Sequence, residues 1–427
     1  MARGPNSVTL SARARVTHQH PDRWSSIMHP APDTPRPERV AYLVGGLRIS
    51  VGDSSKTAGP RTHILGFVGA LGALGIRHRL LVASEFPGLS RFARRPGTVF
   101  TPRSRLKVLM ADFIRVAAMI WSGIQVAWRE RAHRRDTTII YERGAVFQSL
   151  ASFHPAKRRA VRVVEANAVI SRETARDRNA IVLERWAAAV ERHVFRRADL
   201  VVAVSAAVKR DVVEFSGIPE NRVLVLPNAA SRSWTEMEIS AIVPGLIGFA
   251  GSVGVWQRID RVIEAIGSID GARLEIVGDG SERERLRALA AERGLADRVS
   301  FTGGISHAEA LEKMSRWSVG FAGHTKTWAE AMYHSPLKLY EYAALGMNIV
   351  CSPSGDAEQL RRDGVALHSF GADDNASLQA ALTEALTAAA AGTESSREAQ
   401  RQIIRNRHTW EARVREFLDA VRAIRGS

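Results

Sequence analysis

The stretch HSPLKLYEYAALGMNIVCS, residues 334–352, carries the signals that decide the fold. Ser335 and Pro336 predict a helix start, with Ser335 as the N-cap, because proline's fixed φ and missing N–H are tolerated in the first turn. The helix should therefore open at or near Leu337. Gly346 supplies a left-handed stop, and the apolar run that follows it suits a buried parallel strand.

Two charged residues share one face of this predicted helix. Lys338 and Glu341 are three positions apart, so both project from the same side of the first two turns. A cation beside the free N–H groups of a helix start favours a bound phosphate. A carboxylate one turn deeper can accept two hydrogen bonds from a sugar diol. The pair predicts a nucleotide-sugar site, whereas a merely solvated lysine is disfavoured at a helix start.

Outward from this stretch, short apolar runs alternate with helical patterns. This alternation predicts an α/β fold in which a parallel sheet is covered on both faces. The pattern restarts near residue 246, so we expect two tandem doubly wound, Rossmann-like domains with ligands in the cleft between them. The predicted strands are 39–44, 79–83, 138–141, 160–164, 200–204 and 222–226 in the first domain, and 246–250, 273–277, 299–301 and 348–351 in the second.

The same pattern divides the chain into four parts. Residues 1–38 contain no apolar signal core and are rich in proline, which predicts a disordered tail. Residues 39–232 form an acceptor domain and residues 233–405 a nucleotide-sugar domain. Residues 406–427 predict a C-terminal helix that crosses back to the first domain.

Composition restricts the partners. The net charge is +16, and residues 101–200 hold 20 Lys and Arg against 10 Asp and Glu, so an anionic partner is expected. No basic strand interleaved with aromatics, zinc ligand set or recognition helix favours nucleic acid. An anionic membrane surface or a phosphate-bearing acceptor remains, beside the alternative that arginines merely cover solvated faces. One cysteine, Cys351, excludes a disulfide framework and favours the cytoplasm.

The segment 106–128 is unusually apolar and is flanked by arginines. It predicts either an interfacial helix, with location at the inner membrane face, or a helix packed inside the protein. Lys107, Asp112 and Arg115 argue against a membrane-spanning helix.

Several motifs occur in the order typical of one family. HSPLKLYEYAALG, GFAGS, LEIVGDG, RVSFTGGI, and ADLVVAVSAAVKRDV followed by VLPNA resemble family 4 retaining glycosyltransferases with the GT-B fold, over roughly residues 39–420. The first strand lacks the G-x-G-x-x-G of a Rossmann dehydrogenase. The resemblance implies a metal-independent transferase that moves a hexosyl or related sugar from a nucleoside diphosphate, most simply a UDP-sugar, with no other cofactor.

The resemblance also implies roles in the second domain. Glu341 would hold the ribose hydroxyls, Lys338 would neutralise the leaving diphosphate, and the amides at Ser335, Pro336 and Leu337 would meet that diphosphate. Further donor contacts are expected at strand ends, although a glycine there can simply serve a turn. These are Gly251, Ser252, Arg258, Asp279, Gly280, Gly304 and Ile305.

In the first domain, Glu165 and Asn167 end a strand near the point where many relatives carry a histidine that contacts the donor sugar. We therefore expect them in the catalytic site, with both side chains on one side of the strand. The acceptor side is expected to include Gly59, Arg61, His63 and Arg143. The alternatives are helix capping and surface exposure for Arg61 and His63, and a buried ion pair of Arg143 with Glu142.

The chain departs from the family in two places. Tyr333 stands where many members carry the first of two glutamates, with Glu330 three residues away, and Arg258 is the candidate substitute for a missing lysine. A nucleotide-sugar epimerase and a catalytically impaired binder therefore remain alternatives. For a transferase, the expected partners are a nucleotide-sugar donor and a polyprenyl-linked, lipid or small-molecule acceptor in cell-envelope polysaccharide, glycolipid or glycoconjugate synthesis.

Overall fold

The computed structural model describes residues 38–52, 58–90, 104–176, 179–238, 240–324, 334–371 and 374–426. Residues 38–427 belong to one compact unit that contains both sheets described below. The predicted tail, apart from Glu38, lies outside the described residues. Tyr333 and Glu330 lie outside them as well, so the departure at the first glutamate position stays a sequence observation.

The first sheet has six parallel strands in the order β2-β1-β3-β4-β5-β6. Its strands are rich in Val, Ile and Leu because both faces are covered by helices. Their bounds are β1 Arg39–Val44, β2 Arg77–Val82, β3 Ile139–Arg143, β4 Val161–Ala166, β5 Leu200–Ala203 and β6 Val223–Val225.

The second sheet also has six parallel strands, in the order β12-β11-β10-β7-β8-β9. The chain leaves β7 toward β8 on one side and returns on the other through β10, so the strand order reverses between β7 and β10, where doubly wound sheets bind ligands. The strands are β7 Val243–Ala250, β8 Arg273–Val277, β9 Val299–Gly303, β10 Trp317–Ala322, β11 Asn348–Cys351 and β12 Leu367–Ser369.

Helices connect the strands and cover the sheets. In chain order they are α1 Ala58–Ala73, α2 Arg105–Arg129, α3 Ile170–Arg176, α4 Glu184–Arg197, α5 Ala206–Ser216, α6 Arg232–Glu236, α7 Ile259–Ile266, α8 Arg283–Glu292, α9 His307–Ser315, α10 Leu337–Ala344, α11 Gly355–Arg362, α12 Asn375–Ala391, α13 Glu394–Arg407 and α14 Trp410–Gly426. The predicted fold class, two doubly wound α/β domains, is confirmed.

Two predictions about elements need correction. The strand β10 was not predicted, although it joins β7 to β11 at the centre of the second sheet. The sequence over 397–425 has one continuous helical pattern, which predicts a single long helix. The structure divides this helix at His408 and Thr409, where the Ala230 backbone pairs with the chain between α13 and α14.

The last helix packs against the first domain. Trp410 and Phe417 belong to the core cluster of β1, β3 and α1. The Phe417 ring stands edge-on to Phe67, with 5.6 Å between ring centroids. A Cβ added to Gly66 would lie 2.2 Å from the Trp410 indole nitrogen, so α1 can approach α14 closely only with glycine at this position.

Candidate functional site

The helix α10 begins beside the point where the strand order of the second sheet reverses. It starts at Leu337, as predicted, but its cap is Pro336, with φ −76° and ψ 118°, and no side chain caps it. The prediction that Ser335 is the N-cap was wrong. Its hydroxyl is used elsewhere, because it donates to the Asp356 carboxylate and accepts from the Asn228 backbone N–H at 2.8 Å. The first N–H groups of α10 therefore have no side-chain partner from a cap.

Lys338 extends across the carboxyl end of β7. Its Nζ lies 4.9 Å from the centre of the Phe249 ring. Gly251 follows β7 and has a φ of +133°, which only glycine adopts readily. A Cβ added to Gly251 would lie 3.2 Å from the Lys338 ammonium. The Lys338 ammonium thus lies over the ring of Phe249 and close to the backbone of Gly251 at the end of β7.

Glu341 lies one turn deeper on the same helix. Burial raises the pKa of its carboxyl group to about 7, although the Lys338 charge opposes this shift. Burial likewise lowers the pKa of Lys338. Within the described part of the chain, no hydrogen bond or ion pair reaches either charged group. A partly buried cation and carboxylate that have no hydrogen bond or ion pair among the described residues are suited to bind a polar ligand, since burial of unpaired charge is otherwise costly.

The loops around this point include the other predicted donor-side residues. Asp279 accepts from the Gly280 N–H at 2.8 Å and lies 3.3 Å from the Arg283 guanidinium. Gly280 is required by packing, because a Cβ there would lie 2.2 Å from the Val253 carbonyl oxygen. Asp279 thus lies in the turn before α8 and contacts the first residue of that helix, and donor contact by Asp279 and Gly280 stays a prediction.

The remaining residues predicted on the donor side differ in solvent exposure. Ser252 and Gly304 are exposed, and Ile305 is half-buried against the core. Arg258 has a left-handed backbone with φ +50°, and its Nε lies 3.4 Å from Asp260 Oδ1. Donor contact by these four residues stays a prediction.

Glu165 is the centre of a buried polar cluster in the first domain. It accepts from Tyr42 at 3.1 Å, Tyr141 at 2.9 Å and Asn167 at 2.8 Å, and it pairs with Arg143. Although burial favours the neutral acid, Arg143 and His63 hold the pKa of Glu165 well below its usual range.

The carboxylate of Glu165 has no exposed surface in this arrangement. Its expected place among the catalytic groups stays a prediction, and complete burial favours a role in holding its neighbours. Asn167 lies on the same side, as predicted, and is half-buried at the strand end, so its side chain is the more accessible of the two.

A chain of hydrogen bonds runs from this cluster to the start of α10. His63 contacts Glu165 Oε2 at 2.9 Å through Nε2 and Asn228 Oδ1 at 2.6 Å through Nδ1. The Asn228 side chain in turn donates to the Ser335 carbonyl oxygen. Ser335 and Tyr340 both donate to Asp356. The start of α10, which bears Lys338, is therefore fixed to the first sheet.

The predicted acceptor-side residues are not all open to solvent. His63 is buried, so surface exposure is the wrong alternative for it, and Arg143 pairs with Glu165 rather than Glu142. Gly59 is exposed in the first turn of α1, and Arg61 Nε donates to the Val51 carbonyl at 3.0 Å. Contact of these residues with an acceptor stays a prediction.

Three residues of the hydrogen-bond chain were missed in the sequence. Asn228 lies inside the quoted motif VLPNA, which marked it for attention without indicating a partner. Tyr340 and Asp356 read as ordinary helix residues, because nothing local shows that they meet Ser335. Among the described residues, no group of three or more His, Cys, Asp or Glu could hold a metal ion.

Two parallel six-stranded sheets, with a charged pair at the reversal point of the second, form the architecture of the GT-B fold. Two family models match the chain: residues 57–233 match Glycosyltransferase Family 4, and residues 235–407 match Glycosyl transferases group 1. The chain belongs to the group 1 glycosyltransferases with the GT-B fold. The predicted family is thereby confirmed and glycosyltransferase activity is supported, whereas the donor, retention and independence of a metal ion stay predictions.

Three known proteins are similar to this chain, over different shares of its length. The 2-deoxystreptamine N-acetyl-D-glucosaminyltransferase of Streptomyces fradiae is 31% identical over 139 residues, a match that covers 29% of this chain and only 33% of that relative. Sucrose-phosphate synthase from Thermosynechococcus elongatus has a TM-score of 0.62 at 16% identity, covering 91% of this chain and 99% of that one. The Anabaena protein HepE, solved with UDP and also with UDP-glucose, has a TM-score of 0.62 at 15% identity in the UDP complex, covering 90% of this chain and all of the other.

Proposed function

We propose that this protein transfers a sugar, with retention of configuration, from a UDP-sugar to an acceptor hydroxyl without a metal ion. The observation that carries the proposal is the Lys338 ammonium beside Gly251, at the reversal point of the second sheet, where it has no hydrogen bond or ion pair among the described residues. The charge lies where a diphosphate would end if its nucleoside filled the crevice beyond the strands.

The start of α10 supplies the remaining diphosphate contacts in this scheme. Its first N–H groups lack a side-chain cap, and a helix start attracts anions. As the bond to the sugar breaks, negative charge grows on the diphosphate, and the Lys338 ammonium is already in place to stabilise it. Burial lowers the pKa of Lys338, and a bound diphosphate would oppose that shift, because a nearby negative charge favours the ammonium form.

Glu341 is proposed to bind the ribose. Two vicinal hydroxyls can donate to its two oxygens, which have no hydrogen-bond donor among the described residues. The choice of UDP is supported by HepE, whose structures contain UDP and UDP-glucose. Retention follows if the departing diphosphate oxygen accepts the acceptor's proton on the face from which it leaves, so that the new bond forms on that same face.

The acceptor is proposed to belong to cell-envelope polysaccharide, glycolipid or glycoconjugate synthesis, with the protein in the cytoplasm. The similarity to the 2-deoxystreptamine transferase supports a small-molecule acceptor as the second candidate. The two candidates differ in whether the acceptor carries a lipid.

The test is turnover with a panel of UDP-hexoses, each supplied with a lipid-linked or an aminocyclitol acceptor in the presence of EDTA. We expect UDP release that needs an acceptor, and a product whose anomeric configuration by NMR matches the donor. A changed sugar in the absence of any acceptor would identify an epimerase instead. UDP binding without turnover on any acceptor, with cellular product unaffected by Lys338→Ala, would identify a binder.

A further inference from the structure

The helix α2 presents a continuous apolar stripe to solvent. Leu106, Met110, Phe113, Ile120, Ile124 and Trp128 are all exposed, and Trp128 is 72% exposed. At about 100° per residue, these six positions fall within one narrow strip along the helix. The strip runs for about 33 Å from Leu106 to Trp128, at about 1.5 Å per residue. Isolated exposed apolar residues are ordinary, but an unbroken stripe of this length indicates a binding surface.

The opposite face of α2 shows that this orientation is fixed. Asp112 is fully buried and accepts from the backbone N–H groups of Val182 at 2.8 Å and Leu183 at 3.0 Å. Gly123 lets the Phe153 ring approach, because a Cβ there would lie 2.5 Å from the ring. The buried face also holds apolar residues, Val108, Ala118 and Val126, so the exposed stripe is a second apolar face, where an ordinary surface helix would be polar. Rotating α2 inward would strip Asp112 of its partners.

The exposed charges of α2 and of residues 129–135 have one sign. The acidic groups of α2 and its C-cap are buried, Asp112 with Arg115 and Glu130 with Arg79 and His154. The flanks carry exposed basic side chains at Arg105, Lys107, Arg129, Arg131, Arg134 and Arg135. The exposed acidic residue that follows, Asp136, is paired with Arg39 at 2.9 Å. Such a stripe with a cationic rim matches the surface of an anionic bilayer.

We propose that the outward face of α2, from Leu106 to Trp128, docks on an anionic membrane with the helix axis in the membrane plane. The helix is long and apolar enough by composition to cross a bilayer. Its inner face, however, is fastened to residues 180–183 and to Phe153, so it lies along the interface instead. Tryptophans such as Trp128 favour the headgroup level.

The stripe belongs to the first domain, to which the acceptor side is assigned. Asp112 accepts from Val182 and Leu183, which lie in the connection between β4 and β5, and Asn167 begins that same connection. Docking through α2 would therefore place the first domain at the membrane. This surface goes beyond the transfer reaction, and vesicle binding is measured without donor or acceptor, so it can fail independently.

The test is flotation of the full-length protein with vesicles of phosphatidylglycerol and phosphatidylcholine, compared with phosphatidylcholine alone. We expect binding to the anionic vesicles that weakens with salt, because the charged contribution is screened. Phe113→Glu should lower the bound fraction at least about fivefold, because a carboxylate would enter the interface. The matched control is Val255→Glu, which adds the same charge at a residue that is 60% exposed, against 57% for Phe113, and should bind like the wild type.

Charge reversal separates the electrostatic contribution to vesicle binding from the contribution of the apolar stripe. The triple change Arg131→Glu, Arg134→Glu and Arg135→Glu should abolish the preference for phosphatidylglycerol, and circular dichroism should show unchanged folding because all three side chains are exposed. Absence of wild-type binding to anionic vesicles would overturn the proposal, and so would equal binding by Phe113→Glu. A concentration-dependent dimer that Phe113→Glu disrupts, without vesicle binding, would show instead that the stripe joins two copies of this chain.

Discussion

Replacing Glu165 with glutamine should destabilise the first domain strongly. The carboxylate has no exposed surface and is the buried counter-charge of Arg143. Removing one partner from a buried ion pair costs about 3–5 kcal/mol. Glutamine keeps the size and part of the hydrogen bonding, so we expect a loss of about 3 kcal/mol in the free energy of unfolding at pH 7.

The stabilisation by the Glu165 carboxylate should depend on pH in a defined direction. Because the pKa of Glu165 is depressed in the folded protein, its contribution is present above the unfolded pKa of about 4.5 and disappears as the pH falls further. The wild type should therefore lose stability on acidification through this range more steeply than Glu165→Gln. Urea unfolding followed by circular dichroism between about pH 7 and about pH 2 measures both curves, because the predicted loss begins below the unfolded pKa.

Glu142→Gln is the matched control, because this neighbouring carboxylate is also buried. It accepts from the backbone N–H groups of Leu150 and Ala151, and burial raises its pKa. No ion pair depends on it among the described residues. We expect a loss of about 1 kcal/mol, the size of one buried hydrogen bond.

A positioning role for Glu165 has a distinct kinetic signature. Lys338 and Glu341 lie in the second domain, so UDP affinity in calorimetry should stay within about twofold of wild type when Glu165 becomes glutamine. A positioning role for Glu165 is excluded if Glu165→Gln has the unfolding free energy of the wild type while turnover falls more than about a hundredfold. A fall of that size is in the range expected for a lost acid–base group. That result would mean that the carboxylate contacts substrate.

Two further predictions concern the donor side. Because burial raises the pKa of Glu341 to about 7, the affinity for UDP-glucose in calorimetry should fall roughly tenfold from pH 8 to pH 6 as the carboxylate takes up a proton, while Glu341→Gln should show a flat profile. The same raised pKa predicts that the unliganded protein loses stability as the pH rises through 7, and a wild-type affinity that does not change with pH would contradict both statements. Asn228→Ala should cost about 2–3 kcal/mol, since His63 and the Ser335 carbonyl each lose a buried partner. It should lower kcat with little change in UDP affinity, and an unchanged thermal midpoint would exclude the hydrogen-bond chain as a structural link.

The sheet strands followed from local pattern. The spans predicted for β1, β8 and β11 match the structure, because continuous Val, Ile and Leu runs bounded by turn residues have few other uses. β10 was missed because Gly320 interrupts its short run, and glycine weakens a strand pattern. That glycine is explained only by tertiary packing, since a Cβ there would lie 2.5 Å from the Tyr342 ring.

The site followed from sequence only in part. Lys338 and Glu341 could be placed together because helical spacing is a local property, and Gly346 has the predicted left-handed φ of +72°. The prediction that Ser335 caps α10 was wrong. A serine before proline at a helix start reads as a cap, yet its hydroxyl is engaged by Asn228 and Asp356, which are 107 and 21 positions away. Such long-range polar contacts leave no periodicity to detect.

The cluster around Glu165 illustrates the same limit. Its strand and its side-of-strand relation to Asn167 were predictable from the two-residue period. Its burial was not, because the donors come from Tyr42, His63 and Tyr141 on separate elements.

Calorimetric titration of UDP into the wild type, Lys338→Ala and the control Lys313→Ala tests whether the Lys338 ammonium binds the diphosphate. Lys313 pairs with Glu275 at 2.8 Å within the second domain. If the diphosphate lies against the ammonium beside Gly251, Lys338→Ala should weaken UDP binding by at least about tenfold, near the value of a charge-assisted contact, while Lys313→Ala binds like the wild type. Equal dissociation constants for all three proteins would contradict the account.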